Sequence, residues 1–143
     1  EYVSSFSEVR EKELNGFYLY GSPGRGKTHL AAGVANELIK QSVPCVYVKT
    51  AELLSAIREN FKNGDKETVI TPLKVVDLLI LDDLGAEEKQ EWFIADVFRI
   101  LDWRLEWLLP TVITSNLTID EIKSRYGERI ASRIKRMCRI IEI

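Results

Sequence analysis

The sequence predicts an α/β protein, a three-layer α/β sandwich with helices on both faces of a parallel sheet, on three observations. First, the apolar run Phe17-Tyr18-Leu19-Tyr20 leads into Gly21-Ser22-Pro23-Gly24-Arg25-Gly26-Lys27-Thr28, and helical spacing follows at once. Second, Leu78-Leu79-Ile80-Leu81 is apolar at every position, as in a strand covered on both faces, and ends in Asp82-Asp83. Third, short β-branched runs alternate with helical spacing along the rest of the chain.

The elements follow in order. Residues 2–15 are a polar approach segment with Phe6 and Val9 as anchors, and Asn15-Gly16 is the turn into the first strand. After the glycine-rich stretch, Leu30, Val34 and Leu38 recur at i, i+4, i+8 beside Ala31 and Ala35, an apolar stripe for packing on a sheet, ending near Lys40. Residues 43–48 are β-branched and aromatic and make a second strand; Thr50 caps the next helix, whose apolar positions are Leu53, Leu54, Ile57 and Phe61. Residues 62–66 are a loop, and Thr71-Pro72 supplies an N-cap and first-turn proline for a short helix through Val75. The third strand carries the two acids. Residues 87–108 have helical spacing, with Phe93, Val97, Ile100 and Leu101 on one side, until Pro110. A fourth strand, residues 111–114, precedes Ser115-Asn116; Thr118 and Glu121 form a capping box for a helix that Gly127 closes. Residues 129–137 form a last helix, burying Ile130, Ile134 and Met137, and residues 138–143 a last strand.

With 143 residues, 45% apolar and 29% charged, the chain can bury one sizeable core, so residues 1–143 are read as one domain. Twenty Lys and Arg against 22 Asp and Glu give a net charge of −2, so any nucleic-acid contact uses a local patch. Cys45 and Cys138 lie in apolar stretches and read as buried thiols of a reducing compartment. No apolar run reaches the roughly 20 residues of a membrane span and no signal peptide opens the chain, so a soluble cytoplasmic protein is expected. The start at Glu1 and the end inside an apolar run suggest a piece of a longer chain.

The stretch from Gly21 to Thr28 fits G-x-x-x-x-G-K-[ST] at every fixed position. It reads as a phosphate-binding loop, in which Gly21, Ser22, Pro23, Gly24, Arg25 and Gly26 let backbone N–H groups face a triphosphate. Lys27 reaches the β- and γ-phosphates, and Thr28 gives a hydroxyl to Mg²⁺ at the positive end of the helix. Asp82, at a strand's C-terminal end, is the second magnesium residue. Asp83 is placed to orient and deprotonate the attacking water, with a shorter reach than the commoner Glu; the competing reading is a turn before Gly85. Asn116 either brings an amide to the γ-phosphate or caps a turn. Arg129, Arg133 and Arg136 at i, i+4, i+7 are either a solvated face or a source of arginine fingers acting on a neighbour's phosphate. His29, the only histidine, cannot build a zinc site and reads as a packing or hydrogen-bonding residue beside the nucleotide loop. Trp92, Trp103 and Trp107 read as core or interface residues before base-stacking ones.

Four stretches carry a resemblance: residues 21–32, Asp77 through Asp82-Asp83-Leu84-Gly85-Ala86-Glu87, Leu109 through Thr114-Ser115-Asn116-Leu117, and Gly127 through Ser132-Arg133-Ile134. Together they resemble the AAA+ ATPase domain of bacterial replicative helicase loaders of the DnaC/DnaI type. The resemblance implies a P-loop NTPase with five parallel strands in the order 5-1-4-3-2, a reduced or absent lid, and ATP or ADP with Mg²⁺ at the strands' C-terminal ends. It makes Asn116 the first sensor, Arg133 the arginine finger and Arg129 its helper. It also implies self-association into a spiral or ring, contact with single-stranded DNA, and a replicative helicase as partner, whose N-terminal binding region is missing here. Three rivals stand beside it: the helper ATPase of an insertion-sequence transposase, a small-molecule kinase, and a nucleotide-gated interaction module with little hydrolysis.

Overall fold

The computed structural model describes residues Glu1–Ile143. After a short helix α1 (Phe6–Val9), the chain alternates β1 (Gly16–Tyr20), α2 (Lys27–Lys40), β2 (Cys45–Lys49), α3 (Thr50–Lys62), α4 (Glu67–Val75) and β3 (Leu78–Leu84). It continues through α5 (Glu91–Glu106), β4 (Thr111–Ser115), α6 (Ile119–Tyr126), α7 (Glu128–Met137) and β5 (Cys138–Glu142). The five strands form one sheet in the order β2-β3-β4-β1-β5, every pairing parallel, which is the expected 5-1-4-3-2 order read from the other edge.

Side-chain parity divides the sheet's two faces. Leu19, Leu78, Ile80 and Val112 face α1 and α2, while Tyr18, Leu79, Leu81 and Ile113 face a larger cluster from α3 to α7. Because both faces are covered, Leu78, Leu79, Ile80 and Leu81 are fully buried, and a continuous apolar run is the sequence such a strand requires.

Several boundaries differ from the sequence expectation. The packing stripe of α2 is Ala31, Ala35 and Leu38, whereas Leu30 is exposed; small residues bring the helix close to the sheet and leave Leu30 outside the contact. Phe61 is likewise exposed, because α3 leaves the core after Ile57. Thr50 is the first residue of α3 rather than its cap, and its side chain makes no capping bond because its hydroxyl serves the β3–α5 loop. Helix α4 begins at Glu67 and contains Pro72; burying Ile70 and Leu73 outweighs the one backbone bond that proline gives up. Helix α5 starts at Glu91, since Glu87 turns inward and is buried. The capping box of Thr118 and Glu121 forms as expected, with both reciprocal bonds present. Of the two cysteines, Cys138 is buried and Cys45 only half-buried. None of the three tryptophans lies in the core: Trp92 and Trp107 are exposed and Trp103 is partly so. No helix is long and apolar enough to cross a membrane.

The edge of the sheet where the strands begin is held by one side chain. Arg104 is fully buried and donates from Nε to Thr111 Oγ1 at 2.8 Å, and from its terminal nitrogens to the carbonyls of Leu73, Val76 and Pro110 at 3.0, 2.7 and 2.7 Å. It thereby ties the entries of β3 and β4 together. Replacing Arg104 by Leu removes the guanidinium, leaving space in the core and those acceptors without donors. It should lower unfolding stability by about 3 kcal/mol or more, read as a reduced urea midpoint at unchanged slope.

Candidate nucleotide-binding site

At the opposite edge, where the strands end, the glycine-rich loop joins β1 to α2. Gly26 holds φ 87°, a left-handed conformation that suits glycine, and Gly21 is required by the protein itself: a Cβ there would lie 2.4 Å from the Ile143 carbonyl oxygen. Ser22, Pro23, Gly24 and Arg25 are exposed along the loop. Lys27 is buried and folds back, donating from Nζ to the carbonyls of Gly21 and Ser22 at 2.8 Å each. His29 is exposed on the outer side of α2, so of the packing and hydrogen-bonding readings the packing one does not hold, since the helix turns that position away from the sheet.

The centre of the site is Asp82, which is almost wholly buried. Its Oδ1 accepts from Thr28 Oγ1 at 2.8 Å and from Thr114 Oγ1 at 2.5 Å, and its Oδ2 accepts from the Tyr47 hydroxyl. Burial, and next the bond to Asp82, push the Tyr47 hydroxyl above its ordinary value, which keeps it a donor. Three elements, α2, β2 and β4, thus converge on one carboxylate from β3, and every donor is a neutral hydroxyl. Oxygen-only donors from Thr28 and Asp82 suit a hard cation. No group of three or more His, Cys, Asp or Glu side chains gathers to hold a metal ion, so a cation here would draw its other ligands from phosphate and water, as Mg²⁺ characteristically does.

The register of β3 against β4 shifts between Leu81 and Leu84, and this irregularity falls at the acids. Asp83 sits at φ 62°, a left-handed conformation that Asp tolerates better than most residues. Its N–H donates to Thr114 Oγ1 at 2.8 Å and its carbonyl accepts from Thr50 Oγ1 at 2.8 Å, so its backbone is clamped while its side chain is exposed. Asn116 has the same character. Ser115 Oγ donates to the Leu84 carbonyl and accepts from Leu117 N–H, and Tyr18 donates to the Leu117 carbonyl at 2.6 Å, leaving the Asn116 side chain exposed on a fixed turn. Burial pushes the Tyr18 hydroxyl up to about 12.

Glu87 completes the scaffold. Buried beneath the loop, its Oε2 accepts from Gly85 N–H at 2.9 Å and Thr50 Oγ1 at 3.0 Å, and its Oε1 from the Tyr126 hydroxyl. Arg129 and Arg133 are not brought to this site. They stack over Phe98 of α5, with guanidinium carbons 3.9 and 4.9 Å from the ring centroid, and Arg133 Nε donates to Asp102 at 3.1 Å.

Tyr47, Thr50, Glu87 and Thr114 were absent from the sequence-level site. Thr114 has a local signal, standing on β4 two residues before Asn116. Tyr47 had none, because its reach to Asp82 depends on the register of β2 against β3.

The uncharacterized protein YqaM of Bacillus subtilis (strain 168) is 35% identical over 145 residues, covering 97% of this chain and 45% of YqaM. The replicative helicase loader DnaC of Escherichia coli (strain K12) is 29% identical over 137 residues, covering 94% of this chain and 54% of DnaC. The chain therefore spans about half the length of the curated relatives it matches. Among solved structures, the DnaC helicase loader superposes with a TM-score of 0.87 at 27% identity, over 99% of this chain and 84% of that one. DnaI gives 0.83 at 33% identity over 99% and 82%, and the replication initiator DnaA bound to AMPPCP and single-stranded DNA gives 0.83 at 25% over 98% and 44%. A family model described as IstB-like ATP binding protein matches residues 3–143. The chain, with its glycine loop, buried Asp82 and 5-1-4-3-2 sheet, belongs to that IstB-like ATP-binding family.

Proposed function

We propose that this domain binds ATP with Mg²⁺ and hydrolyses it slowly. We further propose that it works in the cytoplasm as the ATPase part of a replicative helicase loader, delivering a hexameric helicase to single-stranded DNA. The observation that carries the nucleotide reading is the 2.8 Å contact joining Thr28, at the start of α2, to Asp82 at the end of β3. The helicase reading is supported by the likeness to DnaC, itself named a replicative helicase loader.

In this reading the loop from Gly21 to Thr28 wraps the phosphates with His29 adjoining, and Lys27 exchanges the Gly21 and Ser22 carbonyls for phosphate oxygens. Thr28 and Asp82 would hold Mg²⁺, which supplies charge neutralisation on the phosphate oxygens. Asp83 orients the attacking water and takes its proton, and Asn116 places its amide beside the γ-phosphate. Both side chains are exposed on clamped backbone, the combination that a group acting on bound substrate needs. Arg133, helped by Arg129, serves a neighbouring subunit's γ-phosphate in a spiral or ring. The pair's partners in its own subunit are Phe98 and Asp102 on α5, which is consistent with action in trans.

For single-stranded DNA, one candidate surface is the cleft of about 230 Å³ lined by Phe61, Trp92, Arg58 and Lys66. Phe61 is 68% exposed, an aromatic face on which a base can stack, while Arg58 and Lys66 beside it are paired with Glu88 and Asp96, so a phosphate would have to displace those carboxylates.

A second reading, the helper ATPase of an insertion-sequence transposase, is favoured by the IstB-like description of the family. Capture of the full-length protein's partner decides between them. Retention of the replicative helicase is expected, and retention of a transposase without helicase would overturn the loader reading.

Three variants test these roles. Arg133→Ala should leave nucleotide affinity near that of the parent and cut DNA-stimulated turnover by about 10³-fold, and mixing it with Asp83→Asn should restore part of the turnover. No recovery in the mixture would leave Arg133 as a surface charge. Phe61→Ala should weaken single-stranded DNA binding about tenfold in fluorescence anisotropy without changing nucleotide affinity.

A further inference from the structure

Resting on the magnesium reading of Asp82, we propose that Tyr47 is a positioning residue of that site. Its hydroxyl pins the outer oxygen of the Asp82 carboxylate so that the inner one stays turned toward Thr28.

The geometry is specific. Strand β2 is the sheet's edge and pairs only with β3, in a register that sets Tyr47 opposite Ile80 and Lys49 opposite Asp82. Tyr47 and Asp82 are therefore diagonal neighbours on one face, a separation that a long aromatic side chain can span and a short one cannot. The two carboxylate oxygens are held unequally: Oδ1 has two donors, Thr28 and Thr114, and Oδ2 has Tyr47 alone. A carboxylate held at one oxygen swings about that point, whereas one held at both has a fixed plane. Thr28 is also the donor that an arriving cation would compete for, since its hydroxyl is the loop's proposed metal ligand. Tyr47 and Thr114 are the bonds left to keep Asp82 oriented.

The hydroxyl is not needed to build the strand. Tyr47 is 41% exposed on an edge strand, where phenylalanine has a comparable β-propensity, so the ring alone would serve the strand. The polar end instead turns inward to a buried carboxylate. Groups that orient a metal ligand from behind commonly change metal affinity by 10- to 100-fold when removed.

The test uses the full-length protein and a fluorescent, non-hydrolysable ATP analogue, with affinity measured in EDTA and across a Mg²⁺ titration. Tyr47→Phe should leave the EDTA affinity within about twofold of the parent and raise the Mg²⁺ concentration for half-maximal tightening about tenfold. An unchanged Mg²⁺ midpoint overturns the proposal while leaving Asp82 as the metal residue. Equal weakening with and without Mg²⁺ also overturns it, since a packing role acts on both. Tyr47→Leu removes the ring as well: a shift with Leu but none with Phe assigns the effect to the ring and refutes the hydroxyl. If the parent itself shows no Mg²⁺-dependent tightening, the magnesium reading fails and this proposal falls with it.

Discussion

Asp82 is the constraint from which the site's architecture follows. A buried carboxylate surrounded by neutral hydroxyls is tolerable only when several donors meet it, because each missing hydrogen bond to a buried charge costs kilocalories. Here the donors come from Tyr47 on β2, Thr28 on α2 and Thr114 on β4, so they meet only if β2 and β4 flank β3 and the loop after β1 returns above them. The strand order and the site are the same fact seen at two scales. An antiparallel arrangement of the same strands would scatter those hydroxyls to opposite edges. A cation between Thr28 and Asp82 would add the positive charge that this cluster of neutral donors lacks.

Around that centre the backbone is fixed more tightly than the side chains that face solvent. Thr114 accepts from Asp83 N–H while donating to Asp82, so one hydroxyl sets the relative placement of both acids. Thr50 and Glu87 hold the same loop from the other side, and Glu87 also meets Tyr126, immediately before the Gly127 elbow that leads into α7. The turn after Asp83 and the end of α6, the helix before the one bearing Arg129 and Arg133, therefore share a buried carboxylate. Arg133 rests against Asp102 in a partly exposed pair, and such pairs contribute about 0–1 kcal/mol, so it can be exchanged for another anion at small cost.

How much of this was legible depends on whether the signal was local. The glycine loop is a contiguous motif whose meaning survives without tertiary context, and the all-apolar run of β3 declares burial on both faces by itself. Residues 118 and 121 specify their capping box across three positions, and it forms. Where a residue's role depends on a distant partner, the sequence misleads. Thr50 has the chemistry of a cap, yet its hydroxyl is taken by Asp83 and Glu87, more than thirty positions away. Pro72 looks like a helix start, but the burial of Ile70 and Leu73 extends α4 through it. Leu30 and Phe61 fit their helical stripes and still face solvent, because spacing gives a face and not the extent of its cover. Tyr47 lay beyond sequence reasoning altogether, since only the β2–β3 register places it beside Asp82.

The two edges of the sheet divide stability from chemistry. At the edge where the strands begin, Arg104 satisfies the carbonyls leading into β3 and β4, and the Asn15 side chain donates to the carbonyls of Arg10 and Leu108 at 2.9 and 2.8 Å. Polar groups there are consumed internally, so that edge offers a ligand little. At the edge where the strands end, the loop glycines adopt positive φ, and the Asp83 and Asn116 side chains stay exposed on anchored backbone. Only the buried half of each bonding pair is spent on the fold. A parallel sheet permits this division because all its strands begin at one edge and end at the other. At the end of β3 the Asp83 backbone is bonded on both sides, to Thr114 and Thr50, which is how an exposed acid can keep a defined position without being buried.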